Sequence, residues 1–102
     1  MSMLHTVNKS PFERNALDAC LTRAAKGSAI LLYEDAVYAA TKGTNVASRV
    51  SQATQAFKVF VLGPDLRARG FDEAQVLDGI TVIGYDEFVD LTVEHGTVNA
   101  WL

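Results

Sequence analysis

The chain reads as an α/β protein: a three-layer α/β/α domain with a mostly parallel sheet of four or five strands. Three observations predict this. Four short apolar runs, Leu4 to Val7, Ala29 to Tyr33, Phe57 to Leu62 and Ile80 to Ile83, start 25, 28 and 23 residues apart, which leaves room for a helix between each pair. The second and third runs are almost continuously apolar, the pattern of strands buried on both faces. Helix caps and stops fall in the gaps between the runs.

Each gap can be read in order. After the first run, Ser10 is a good N-cap, Pro11 suits a first helical position and Glu13 completes an S-x-x-E capping box. Leu17, Cys20, Leu21 and Ala24 then share one helical face, and Gly27 suits a left-handed stop. After the second run, Glu34 to Ala40 reads either as a short helix or as a bent connection. Thr41 to Gln55 is rich in Ser, Thr, Asn and Gln, and reads as a loop followed by a helical stretch. After the third run, Pro64 and Asp65 fit a first helical turn, Arg67 and Arg69 a last one, and Gly70 the stop. Asp78-Gly79 is a turn signal before the fourth run. Asp86 is the expected cap of a final helix that carries Phe88, Val89, Leu91 and Thr92 and ends at His95 and Gly96. The apolar tail, Val98 to Leu102, either adds an edge strand or docks on a partner.

The totals narrow the function. At 102 residues one domain is expected, with roughly two-thirds of its extended surface buried. Hydrophobic residues make up 49% and charged residues 21%, the balance of a folded chain. A mean hydropathy of +0.12 in so short a chain leaves apolar surface over for a subunit interface. The net charge of −3 argues against a generic nucleic-acid binder. No apolar run approaches the ~20 residues of a membrane span, and no signal peptide is evident after Met1. A single cysteine without an export signal fits the cytoplasm.

Few residues carry obvious chemistry. Cys20 reads either as a buried, inert core residue or as a nucleophile that must ionise to act. It lies too far along its helix for the dipole to activate it, although Arg23 at i+3 is within reach. His5 to Ser10 runs from a strand into a helix, where a small anion or a sulfur acceptor can bind; an ordinary capped βα turn has the same pattern. Arg67 and Arg69 fit either an anionic partner or their own helix end. Glu34 and Asp35 follow a strand, where acids can hold a ribose, or simply end the strand in water. No glycine-rich phosphate loop is present, which weakens a flavodoxin-like ligand-binding reading. His5 and His95 lack metal-ligand spacing.

Three separated stretches resemble the DsrH/TusB family: Leu4-His5-Thr6-Val7-Asn8-Lys9-Ser10-Pro11-Phe12, then Leu62-Gly63-Pro64-Asp65-Leu66-Arg67-Ala68-Arg69-Gly70, then Phe88-Val89-Asp90-Leu91-Thr92-Val93 with Ala100-Trp101-Leu102. The likeness spans nearly the whole chain. It implies that residues 1–102 form one DsrH/TusB-like domain, a subunit of a cytoplasmic sulfur-relay complex. Its implied partners are DsrE/TusD-like and DsrF/TusC-like subunits in a hetero-hexamer, a dimer of heterotrimers. A TusA-like or rhodanese-like donor supplies persulfide sulfur and a DsrC/TusE-like protein accepts it. Cys20 matches a cysteine of DsrH-type members that TusB-type members generally lack. The resemblance therefore implies the sulfur-oxidation branch, with Cys20 as candidate persulfide carrier beside a main carrier on the DsrE-like partner. The alternatives are a non-catalytic structural subunit, or a TusB-like role in 2-thiolation of a tRNA wobble uridine. No cofactor, metal, membrane or direct nucleic-acid contact is implied.

Overall fold

In the computed structural model, which describes residues 3–12 and 15–101, all four apolar runs are strands and the tail adds a fifth. They are β1 (Leu4–Val7), β2 (Ala29–Leu32), β3 (Lys58–Leu62), β4 (Ile80–Ile83) and β5 (Val98–Trp101). The sheet order is β4-β3-β2-β1-β5, and every pair is parallel. The helices are α1 (Ala16–Arg23), α2 (Ala47–Ala53), α3 (Gly63–Ala68) and α4 (Tyr85–His95). Glu34–Ala40 is a 3₁₀ segment, and Ala47–Ala53 is the helical stretch expected within residues 41–55.

The topology explains which element covers which face. The chain steps β1, β2, β3, β4 in one direction across the sheet. Right-handed crossovers then put every intervening helix on the same face. On that face Val7, Ile30, Leu32, Val59 and Val61 pack with Leu17 and Cys20 of α1, Val37 of the 3₁₀ segment, Val50 of α2 and Leu66 of α3. From β4 the chain must return past three strands to pair β5 with β1, so α4 falls on the opposite face. There Leu4, Ala29, Leu31, Leu62 and Ile83 meet Leu91, with Phe88 and Tyr33 stacked alongside. α4 is the longest helix, 11 residues or about 16 Å, against a sheet roughly 19 Å wide. The result is the three-layer α/β/α arrangement.

Several boundaries differ from expectation. α1 begins at Ala16, not at Pro11. Ser10 is buried, and its Oγ accepts from the Phe12 N–H at 3.2 Å, closing a tight turn instead of capping a helix. The Glu13 half of the expected capping box lies outside the described residues. α1 ends at Arg23, and Gly27, with φ +86°, turns the chain into β2. α4 is capped at Gly84: the Glu87 carboxylate accepts from the Gly84 N–H at 3.0 Å, while Asp86 sits inside the first turn. Gly70 and Gly96 stop α3 and α4 at positive φ as expected.

Beyond its backbone ladder to β1, the edge strand β5 is tied down by a side-chain hydrogen bond. The indole N–H of Trp101 donates to Nδ1 of His5 at 3.0 Å. His5 is buried, and burial lowers its pKa below 6.5. An accepting Nδ1 requires a neutral ring with its proton on Nε2.

The folded-state pKa of His5 is depressed, so its stabilising effect is complete above the unfolded value of 6.5 and is lost as pH falls through the folded value. Wild-type stability in urea, followed by Trp101 fluorescence, should therefore fall below that pH by up to about 1.4 kcal/mol per unit more than that of His5→Gln. Matching acid profiles for the two proteins would contradict this coupling.

Candidate functional site

Cys20 sits on the second turn of α1, whose apolar side lies against the sheet. It is 0% exposed, within the cluster that contains Val7, Leu17 and Ile30. Arg23 is exposed, and burial pushes the thiol from near 9 up to about 12. A thiol raised this far is protonated almost entirely at neutral pH. A thiolate is what attacks a persulfide or a metal. In this conformation the side chain fills volume and is closed to a donor.

Some of the other polar candidates meet at the carboxyl ends of the strands, where open parallel sheets bind their ligands. Asn8 follows β1, Glu34 and Asp35 follow β2, Asp65 lies in α3 after β3, and Arg69 caps the C-terminus of α3. Asn8 Nδ2 donates to Glu34 Oε1 at 3.0 Å. The Glu34 N–H donates to Asp65 Oδ2 at 2.6 Å. Arg69 donates through Nε and Nη2 to Asp35 Oδ1 at 3.0 and 2.8 Å, and through Nη1 to the Asp65 carbonyl at 3.1 Å. Three successive βα units are thus stitched together along one edge.

Glu34 is the only described non-glycine residue at positive φ, at +50°. A left-handed backbone costs an L-residue about 1–2 kcal/mol. The Asp65 carboxylate offsets this cost by accepting the Glu34 N–H, a charge-assisted bond. Arg69 is engaged within the chain, as its helix-end reading has it, whereas Arg67 is exposed. His5 belongs to the β5 anchor, not to this edge. Among the described residues no group of three or more His, Cys, Asp and Glu is arranged to hold a metal. The Asn8–Glu34–Asp65 link was not anticipated. The signal that points to it is a polar residue shortly after each of the first three apolar runs.

The geometry therefore separates the two kinds of candidate. The thiol is sealed in the core. The polar edge is a cross-linked rim with hydrogen-bonding groups and no thiol.

Comparison with known proteins agrees over nearly the full chain. The family described as DsrH like protein matches residues 9–98. Protein TusB of Pectobacterium carotovorum subsp. carotovorum (strain PC1) is 42% identical over 99 residues, covering 97% of this chain and 100% of that one. Protein TusB of Escherichia coli (strain K12) is 37% identical over the same share of both chains. The fold is similar to the crystal structure of the ychN protein from E. coli, with a TM-score of 0.79, 17% identity and 98% of each chain covered. It is also similar to a protein of unknown function from Methanobacterium thermoautotrophicum, with a TM-score of 0.74, 16% identity and 97% of each chain covered.

Two outcomes follow. In the native protein Cys20 should react with iodoacetamide only at the rate of unfolding, and denaturant should accelerate the labelling. Because its folded pKa is raised to about 12, its contribution to stability should be lost as pH climbs from about 9 to about 12. Rapid labelling of native protein at neutral pH would contradict the burial. Separately, Asp65→Ala should cost about 1–2 kcal/mol in chemical denaturation, since it strands the Glu34 N–H in its strained conformation; an unchanged midpoint would show that the link carries no stability.

Proposed function

The chain belongs to the DsrH-like family, and on that premise we propose that it is a subunit of a cytoplasmic sulfur-relay complex of the TusB type, serving 2-thiolation of a tRNA wobble uridine. What carries the reading is the 37–42% identity to TusB proteins over 97% of this chain. The sulfur-oxidation branch implied by Cys20 rests on that one residue, whereas the TusB likeness rests on the whole length. The partners of this reading are TusD-like and TusC-like subunits in a hetero-hexamer, a TusA-like donor and a TusE-like acceptor.

Within that complex the chain acts as a structural subunit. Sulfur transfer needs a thiolate that attacks the outer sulfur of a donor persulfide, expels the donor thiolate, and later yields the sulfur to an acceptor. A thiol with a pKa of about 12 and no exposed surface is poorly suited to either step. The transferring cysteine then belongs to a partner. The rigid edge made by Asn8, Glu34, Asp65 and Arg69 supports a fixed shape rather than a reacting centre.

A second reading keeps the Dsr branch, and Cys20 itself favours it. There the complex serves sulfur oxidation and Cys20 carries a persulfide, R–S–SH, after α1 swings away from the sheet.

Removing the gene from its own host should abolish 2-thiolated wobble uridine, measured by mass spectrometry of tRNA nucleosides. Restoring the chain with Cys20→Ala should recover thiolation to near the wild-type level. Undiminished thiolation in the deletion strain would refute the tRNA reading. Loss of thiolation with Cys20→Ala, in a chain that still assembles, would return Cys20 to the relay.

A further inference from the structure

We infer that the outer side of α4, together with the bare face of β5, docks a non-identical chain that presents an apolar patch rimmed by Lys and Arg; this rests on the sulfur-relay reading, in which that chain is one of the other subunits of the complex. Five large apolar side chains are exposed among the described residues: Phe12, Tyr85, Val89, Val93 and Val98. Four of them lie on the α4 side of the sheet. Tyr85, Val89 and Val93 follow one another at four-residue spacing, which lines them along one flank of the helix. Val93 is 77% exposed. β5 pairs in register with β1, Val98 beside Leu4 and Ala100 beside Thr6. Leu4 packs under Leu91, so Val98 and Ala100 point to the α4 side, where both are exposed.

The two sides of the sheet differ in how fully they are covered. One has α1, the 3₁₀ segment, α2 and α3; the other has α4 alone. Parallel sheets are ordinarily covered on both faces. A concentration of exposed apolar side chains on the thinly covered side marks an interface.

Charge selects the occupant. α4 carries Asp86, Glu87, Asp90 and Glu94, all exposed, and no Lys or Arg. A second copy of this chain, docked through the same face, would set four carboxylates against four. Like charges across an interface suppress that pairing, while a basic rim on a different chain speeds encounter and fixes orientation.

The test is co-expression of the full chain with the TusD-like and TusC-like subunits of its host, followed by sedimentation velocity at low and high salt. Wild type should assemble, and more weakly as salt rises. Val89→Glu/Val93→Glu and Asp90→Lys/Glu94→Lys should each weaken assembly by at least about tenfold, with the thermal unfolding midpoint of the isolated chain nearly unchanged because these positions are exposed. If wild type and both variants assemble alike, the docking face is wrong and the sulfur-relay reading stands. If wild type does not join those subunits, the reading fails and this occupant fails with it. Homodimers of the isolated chain that dissociate on Val89→Glu/Val93→Glu would overturn the choice of a non-identical partner.

Discussion

Every strand in this sheet runs parallel to its neighbours, and that constraint shapes the rest of the molecule. A parallel pair cannot be closed by a tight turn, so each return must cross a face of the sheet. Three returns step the same way and share one face. The fourth carries the chain from one edge of the sheet to the other and has the second face to itself. α4 consequently does two jobs with 11 residues. Its inner side, Phe88, Leu91 and His95, completes a small core over Leu4, Leu31 and Ile83. Its outer side exposes Tyr85, Val89 and Val93 among four carboxylates, where a surface helix would usually be polar throughout.

The same division of labour governs the thiol. α1 lies on the fully covered face, and its apolar side includes Cys20 along with Leu17. Packing there gives the sulfur apolar neighbours, which stabilises the neutral form and removes the nucleophile. Reactivity at this position would need α1 to move, at the expense of the main core. On the proposed docking, what the chain offers a complex is its shape and its α4 side.

Much of the fold was legible because backbone sterics and burial act locally. The continuous apolar runs at Ala29 and Phe57 mark strands buried on both faces, and Gly70, Asp78-Gly79 and Gly96 sit where positive φ or a turn is required. The errors arose where two local solutions compete. Ser10 can cap a helix or close a turn with the same oxygen, and the turn prevails: Pro11 and Phe12 form it, and α1 starts only at Ala16. Gly84 offers no side chain, yet Glu87 caps the helix from within by reaching back to its N–H. The Asn8–Glu34–Asp65 link joins residues 26 and 31 positions apart. Only strand order brings them together, so no short motif reveals it. Cys20 was visible as a residue, but its chemistry depends on which elements close over it.

Hydrogen–deuterium exchange on the isolated chain and on the complex assembled with the TusD-like and TusC-like subunits addresses the division between a sealed face and an open one. Residues 85–101, which contain α4 and β5, should gain protection on assembly, while α1 around Cys20 should be equally slow in both states. Faster exchange in α1 on assembly, with no change across residues 85–101, would contradict it and point to a complex that opens the core to reach Cys20.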